Sequence, residues 1–268
     1  QDLVLTRDGV PVVLHDVQVD TVTNVAEIFP DRSRDDGRFY AIDFTLAELR
    51  TLEVRERINL KTGRAAYPAR YPVEPGVFQI HTLEDELRMI AGLNRSTGRR
   101  VGVYPELKQP AWHRSQGAAM TPIVLAQLAA AGYRQREDLC YLQCFEAAEL
   151  RRVHQELGCE LRLVQLIGDK DWRGEGGDIT AATLAGLQDT AQYADGVGPP
   201  LGRVIGSDAP GVPRVTPFTR QAHDLGLQVH PYTLRRDDLP KFAATFEAAC
   251  RVLCLNAGVD GLFTDHPD

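Results

Sequence analysis

The first sixteen residues, QDLVLTRDGVPVVLHD, place an acid and a histidine at the two ends of an apolar hairpin. Asp8-Gly9 predicts a two-residue turn, because a type I′ turn needs positive φ at both central positions and Asp-Gly tolerates it. Counting outward from that turn pairs Asp2 with His15, and directly opposed residues have Cβ atoms roughly 5 Å apart. The hairpin therefore predicts a carboxylate and an imidazole at one spot.

A structural interpretation of the same residues stays open. Asp2 would then cap the start of the first strand, and His15 with Asp16 would simply end the second. The pairing count does not depend on residue type, which favours the functional interpretation. The chain also begins within a strand and without Met, so we expect a further N-terminal piece upstream of Gln1.

Polar residues also follow the apolar segments further along the chain. Lys108 lies two residues after Glu106, so in an extended segment both side chains point to the same side. Carboxylates without thiolates or a histidine-rich spacing suit a hard cation such as Ca²⁺ or Mg²⁺ rather than zinc. Together with an ammonium group they would bind an anion such as phosphate. The polar residues at the later segment ends are Gln143, Gln165, Tyr232 and Asp265.

Each of these residues has a structural alternative. Glu106 and Lys108 could form a simple ion pair at a strand end. The glutamines could satisfy loop backbone, an interpretation that we favour for Gln165. Tyr232 could do no more than cover the mouth of the site. Asp265 is better explained as an N-cap or turn acid than as a ligand, given the proline two positions on.

The remaining histidines carry less information. One of them, His230, stands just before a proline at the end of an apolar segment, and its role is ambiguous. The others fall in helices or loops away from strand ends, and we predict that they lie on the surface. These are His81, His113, His154 and His223.

Residues 17–80 are predicted to be an insertion after the hairpin. The segment is rich in Asp, Arg, Pro and Tyr, with one short helix that Thr45 and Glu48 begin as a capping box. Loops of this length are usually functional lids or flexible excursions. We expect the insertion to cap the site.

Helical and strand patterns alternate from residue 81 onward, starting with a helix capped by Thr82. Alternation with continuously apolar strands favours a parallel sheet covered by helices. The strand of Asp2 and the six later ones make seven, so one upstream strand and helix would complete a (β/α)8 TIM barrel, a single domain over residues 1–268. A doubly wound sheet is the alternative, but no Gly-rich phosphate loop supports it. In a barrel the polar strand ends would form the active site.

Composition limits the class of partner. The chain has 268 residues, a net charge of −7 and charged residues at 25%, which is typical of an ordinary globular protein with a sizeable core. The negative charge argues against a broad nucleic-acid or anionic-membrane surface. No apolar run approaches the roughly 20 residues of a membrane span. We therefore expect a small-molecule partner.

Five segments together resemble the glycerophosphodiester phosphodiesterases, particularly the bacterial periplasmic type: RDGVPVVLHD, YPELKQP, YLQCF, VHPYTLR and GLFTDHPD. The resemblance covers essentially the whole chain in order. It implies a (β/α)8 barrel of the phospholipase C-like phosphodiesterase type. It also implies hydrolysis of glycerophosphodiesters, such as glycerophosphocholine and glycerophosphoethanolamine, to sn-glycerol 3-phosphate and an alcohol. The resemblance further implies one divalent cation, with Ca²⁺ favoured over Mg²⁺. It also implies a periplasmic or secreted location.

The resemblance also assigns roles to the candidate residues. Asp2 resembles the second acid of a Glu-x-Asp metal pair, and Glu106 resembles the third acidic ligand. His15 resembles one of two catalytic histidines, and Lys108 resembles the lysine that faces the phosphate. Tyr232 resembles the aromatic residue near the glycerol moiety.

We group Gln143 with Tyr232 as substrate-binding. The family's HRG motif and the Glu of Glu-x-Asp would precede Gln1, so we expect this chain by itself to be inactive or nearly so.

One rival interpretation is a non-catalytic binding or surface protein on the same barrel. Another is a related phosphodiesterase that acts on intact lipid. Such an enzyme would need an exposed apolar or basic rim around its site, whereas residues 31–38 are mixed in charge and strongly polar.

Overall fold

The computed structural model describes residues 1–70, 78–171 and 181–267, and it begins with an antiparallel hairpin of β1 (Asp2–Leu5) and β2 (Pro11–Val13). The hairpin loop holds one residue more than predicted. The backbone N–H of Thr6 donates to the carbonyl of Val10 (3.1 Å), and Gly9 adopts a φ of 77°. A loop of this length commonly ends in a left-handed residue, which glycine adopts without a steric penalty. The predicted two-residue turn is wrong.

The longer loop shifts the pairing of the two strands by one residue. Leu3 lies opposite Val13, and the backbone N–H of Leu14 donates to the carbonyl of Asp2 (2.9 Å). A one-residue slip turns every side chain of a strand to the other face. The prediction that the hairpin sets His15 directly opposite Asp2 is therefore also wrong.

The chain divides into two compact units, Gln1–Cys140 and Tyr141–Asp268. In the first unit, the elements after the hairpin are α1 (Val25–Ile28), α2 (Leu46–Leu49), α3 (Leu83–Thr97), β3 (Glu106–Leu107), α4 (Pro110–Ser115) and α5 (Met120–Ala130), with 3₁₀ turns at Pro30–Arg32 and Ala41–Asp43. Strand β3 pairs in parallel with β1.

Both predicted helix starts are confirmed. Thr45 accepts a hydrogen bond from the N–H of Glu48, whose side chain accepts from the N–H of Thr45, and α2 begins there. Thr82 forms the same reciprocal box with Asp85 at the start of α3. Each box satisfies amides that a helix start leaves without an intrahelical partner.

The predicted insertion packs on the hairpin through a core of its own. Buried residues of both segments form one apolar cluster: Val4, Val12, Leu14, Val17, Val19, Val25, Phe39, Ala41, Phe44, Leu49, Leu52 and Ile80. Burial on this scale ties the segment to β1 and β2 rather than leaving it as a free excursion. Residues 71–77 of the insertion lie outside the described residues. Its position as a cap over the site, and the assignment of the chain as one domain, stay predictions.

In the second unit the elements are β4 (Tyr141–Cys144), α6 (Ala147–Gln155), β5 (Arg162–Leu166), α7 (Ala181–Thr190), β6 (Gly196–Gly198), α8 (Leu201–Val204), β7 (Ile205–Ala209), β8 (Val212–Val215), α9 (Phe218–Asp224), β9 (Gln228–Val229) and α10 (Phe246–Arg251). Strands β4, β5, β6 and β9 pair in parallel in that order. Buried side chains of β6 and β9 pack in one apolar cluster with residues of α7, α8, α9 and α10. The fold class is mixed α/β with a mostly parallel sheet.

Two details of the second unit differ from the prediction. The antiparallel pair of β7 and β8 was not predicted. The predicted final strand at residues 259–265 forms only scattered bonds, among them the N–H of Leu234 to the carbonyl of Phe263 (2.9 Å). Pro231 interrupts the neighbouring segment because it has no N–H to donate to a ladder. Within the described part of the chain, no helix has both the length and the apolar character needed to cross a membrane.

One buried ion pair holds the insertion together. Asp20 is only 6% exposed, and Arg38 donates to both of its carboxylate oxygens, from Nε (2.6 Å) and Nη2 (2.8 Å). The backbone N–H of Phe39 adds a third bond to the same carboxylate (3.2 Å). Removing the arginine would leave a buried charge without its counter-ion.

We predict that Arg38→Met lowers the free energy of unfolding by about 3 kcal/mol, since breaking a buried pair from one side strands the other charge. Urea unfolding monitored by circular dichroism measures the change. The control is Arg88→Met, because Arg88 pairs with Glu84 on the exposed face of α3, where such a pair contributes about 0.5 kcal/mol or less. Equal effects of the two substitutions would contradict the conclusion that the buried ion pair of Asp20 and Arg38 stabilises the insertion.

Candidate active site

The parallel pairing of β1 and β3 brings two acids together. Asp2 lies beside Glu106 in the register of these strands. The backbone N–H of Glu106 donates to the carbonyl of Gln1 (2.7 Å), and that of Lys108 donates to the carbonyl of Leu3 (3.1 Å). Because these bonds fix both strands, the positions of the acids follow from backbone geometry rather than from flexible side chains.

Lys108 faces the same side as Glu106, as its spacing predicts. Its Nζ lies 2.8 Å from Oε1 of Glu106, and the two residues are 9% and 7% exposed. The carboxyl of Glu106 is also within hydrogen-bonding distance of Asp2. Burial, with the neighbouring Asp2 adding to it, raises the pKa of Glu106 to about 7, although the attraction of Lys108 acts in the opposite direction.

The structure brings the side chains of Asp2 and Glu106 together. Two carboxylates compete for one ammonium group, which leaves the cluster with an excess of negative charge and oxygen ligands of the kind that hard cations prefer. Within the described ranges, no group of three or more His, Cys, Asp and Glu side chains is arranged to hold a metal ion. The role of Asp2 and Glu106 as metal ligands stays a prediction.

His15 is held by the residue that follows it. Its Nδ1 lies 2.7 Å from Oδ1 of Asp16, and Arg57 donates to the other oxygen of that carboxylate. The hydrogen bond from His15, assisted by that from Arg57, holds the pKa of Asp16 well below its usual range against the effect of burial. Since an ionised carboxylate only accepts, Nδ1 of His15 is the donor, and Nε2 is left to exchange protons. The side chain of His15 is 62% exposed.

His113 was predicted to lie on the surface, and this is wrong, because it is fully buried. The backbone N–H of Leu5 donates to its Nε2 (3.1 Å), and its Nδ1 lies 3.1 Å from the carbonyl of Gln109. Burial lowers the pKa of His113, so the ring is neutral with its proton on Nδ1. The spacing of Pro110 and His113 is the sequence signal for this position, since Pro110 begins α4 and a residue three positions on lies on the same helix face.

His113 joins the end of β1 to the loop that carries Lys108. The residue between Lys108 and α4, Gln109, adopts a left-handed φ of 47°. Such a conformation costs a non-glycine residue about 1–2 kcal/mol and persists only where surrounding contacts enforce it. The bond from His113 to the carbonyl of Gln109 is one such contact, and it fixes the chain immediately after Lys108.

The remaining predicted residues belong to the second unit and are described within it. Gln143 is buried at the end of β4. Nε2 of Gln165 donates to the carbonyls of Phe145 (3.0 Å) and Leu166 (2.8 Å), which confirms that it satisfies loop backbone. The hydroxyl of Tyr232 donates to the carbonyl of Ile167 (2.6 Å). The substrate-binding roles of Gln143 and Tyr232 stay predictions.

Two further residues near these strand ends are explained by their contacts. Asp265 accepts a hydrogen bond from Nε of Arg235 (2.6 Å), and the interpretation of Asp265 as an N-cap or turn acid stays a prediction. His230 is buried, and its ring lies edge-on against Tyr141 at 5.4 Å. Burial lowers the pKa of His230, which favours the neutral form of its ring.

Comparison with known proteins matches the whole chain to one family. The model of the glycerophosphoryl diester phosphodiesterase family matches residues 1–268. The chain is 39% identical to a glycerophosphodiester phosphodiesterase of Haemophilus influenzae, covering 100% of this chain and 79% of that protein. It is 34% identical to one of Treponema pallidum, covering 100% of this chain and 81% of that protein.

Solved structures show the same fold. A glycerophosphoryl diester phosphodiesterase structure from Silicibacter pomeroyi has a TM-score of 0.65 at 23% identity, covering 99% of this chain and 79% of that one. A phosphodiesterase from Oleispira antarctica, solved in complex with the product sn-glycerol-3-phosphate, has a TM-score of 0.59 at 16% identity, covering 99% and 80%. The predicted fold class, the TIM barrel of these phosphodiesterases, is thereby confirmed.

We predict that in protein freed of cations by EDTA, Glu106 titrates with a pKa of about 7. Lys108→Met raises that pKa further, because an attractive charge is lost, and Asp2→Asn lowers it, because a repulsive one is lost. Carbon NMR of protein labelled at the glutamate side chains measures each titration. A pKa near the ordinary 4.5, or shifts opposite in sign, would contradict the proposed burial and pairing.

The raised pKa of Glu106 also sets the direction in which folding stability changes with pH. The pKa of Glu106 in the folded state lies above the unfolded value, so the folded state binds the proton more tightly. This contribution to stability is complete below pH 4.5 and is lost as the pH rises to about 7. In Glu106→Gln, the urea midpoint should fall less over this pH window than it does in the wild type.

Proposed function

This chain belongs to the glycerophosphoryl diester phosphodiesterase family, and we propose that it hydrolyses glycerophosphodiesters with a divalent cation held at Asp2 and Glu106. The activity is that of the family, and the products are sn-glycerol 3-phosphate and an alcohol. We propose glycerophosphocholine and glycerophosphoethanolamine as substrates and a periplasmic or secreted location, both on the sequence resemblance. The observation that carries the proposal is the group of Asp2, Glu106 and Lys108 on adjacent strands, in which Glu106 and Lys108 are buried.

The donor set fits a hard cation. Two carboxyls lie side by side, and the ammonium of Lys108 pairs with that of Glu106, so a small divalent ion would balance the second charge. Ca²⁺ is our first assignment because it accepts several carboxylate oxygens in varied geometry, and Mg²⁺ is the alternative. When bound, such an ion polarises phosphoryl oxygens.

Lys108 acts on the phosphate directly. Charge builds up on the phosphoryl oxygens as the diester is attacked, and a fixed ammonium group in a site shielded from water stabilises that charge more than it stabilises the substrate. The bond from the Lys108 backbone to β1 fixes where the side chain begins. Its ion pair with Glu106 fixes where the side chain ends.

His15 is suited to move a proton. Asp16 fixes its tautomer and ring orientation, with the proton on Nδ1 and Nε2 available, the arrangement by which a carboxylate prepares an imidazole for general acid–base catalysis. Imidazole is the side chain that proteins use most often as a general acid or base. Hydrolysis must remove a proton from the nucleophile and supply one to the leaving alcohol, and we assign one of these transfers to His15.

We predict that His15→Ala lowers kcat on glycerophosphocholine by about 10²–10⁴, the range for a lost proton-transfer group. The assay uses protein expressed from the complete coding sequence and measures release of sn-glycerol 3-phosphate. His154→Ala, which removes an exposed histidine of α6, should leave kcat unchanged. If His15→Ala kept more than about a tenth of wild-type kcat, a structural role would replace the catalytic one.

We also predict that Ca²⁺ stabilises the protein through Asp2 and Glu106. A ligand at 100 times its Kd stabilises the folded state by about 2.7 kcal/mol, so Ca²⁺ should raise the melting temperature of the wild type by several degrees. Asp2→Asn and Glu106→Gln should each reduce this shift, whereas Glu137→Gln at an exposed acid should keep it. Differential scanning calorimetry with and without Ca²⁺ measures the shifts, and equal shifts in all four proteins would place the cation elsewhere.

A further inference from the structure

The first unit contains a cavity of about 390 Å³ that the proposed chemistry does not use. Apolar side chains form much of its wall, including Val13, Leu14, Phe78 and Ile80. Its size falls in the range of small-molecule sites, roughly 300–1,000 Å³. The walls would suit the alkyl part of a ligand.

The cavity is also lined by a buried carboxylate, that of Glu56. This residue is 8% exposed, and among the residues described it makes no hydrogen bond or ion pair. Within the described chain, the carboxylate oxygens of Glu56 are not fully enclosed by protein, so they remain accessible from the cavity that this residue lines. A positively charged occupant would find a partly desolvated counter-ion there.

The cations beside Glu56 are directed to other partners. Arg57 donates to Asp16, and Nη1 of Arg55 donates to Glu27 (3.2 Å), although its Nε is buried and makes no hydrogen bond within the described chain. A second acid, Glu86, also lines the cavity. The charge left without compensation at the wall is therefore negative.

The cavity adjoins the proposed proton-transfer group. Its wall residue Leu14 directly precedes His15 and is bonded to the backbone of Asp2. Its other wall residue, Arg57, binds the carboxylate that orients His15. A substrate whose phosphate lies at Asp2 would have one of its two alcohol groups on this side.

From these contacts we infer that the cavity is the subsite for a leaving alcohol that bears an ammonium group, with Glu56 as the counter-ion. This inference rests on the proposed function. A metal ion is a poorer occupant, since it would need several oxygen ligands. An alkylated ammonium needs only one charge, apolar contact and an aromatic face, and Phe78 supplies the last of these.

The test compares two substrates that differ only in charge: glycerophosphocholine and the ester in which 3,3-dimethylbutanol replaces choline. Wild type and Glu56→Gln are assayed as protein expressed from the complete coding sequence. We expect wild type to have a KM about tenfold lower for the choline ester, the effect of one partly desolvated charge pair. Glu56→Gln should lose this preference by raising the KM of the choline ester alone, with kcat unchanged. Glu84→Gln, at an exposed acid of α3, should keep it.

Equal changes in both KM values in Glu56→Gln, or no change in either, would overturn the inference while leaving the proposed function intact. If wild type hydrolysed neither ester, the proposed function would fail, and calorimetric titration with choline chloride would then decide the inference alone. Binding to wild type that is weakened in Glu56→Gln would support the subsite, and equal binding or none would overturn it. The variant should fold, because it removes an unpaired buried charge.

Discussion

The parallel pairing of β1 with β3 is the constraint on which the proposed chemistry depends. It sets Asp2 beside Glu106, two groups that repel each other when ionised, and burial makes Glu106 harder to ionise. Lys108 offsets one charge and leaves the other. A site with this imbalance has a physical reason to take up a cation and, through it, a phosphate.

A second layer of contacts holds that arrangement in place. His113 bonds to the backbone of β1 and to the loop after Lys108, and it does so as a neutral, fully buried ring. Gln109 accepts a strained backbone conformation at this point. Strain next to a charged site indicates that the surrounding contacts specify the geometry more strongly than local preference does.

Buried charges, as well as an apolar core, hold the insertion together and attach it to the hairpin. The pair of Asp20 and Arg38 fixes the segment internally, and the bond from Arg57 to Asp16 connects it to the hairpin beside His15. Glu56 stands next to that connection with its charge uncompensated. The segment therefore contacts the end of the hairpin, next to His15, through a charged hydrogen bond.

The sequence by itself determined those features of the structure that depend only on residues close together in the chain. The side shared by Glu106 and Lys108 follows from the period of a strand, and the helix start at Thr82 follows from bonds within one turn. Only the tertiary structure decided the hairpin register, which depends on one extra loop residue, and the burial of His113, whose partner Leu5 is distant in sequence. Contacts between distant segments form only when the whole unit packs, so no short pattern encodes them.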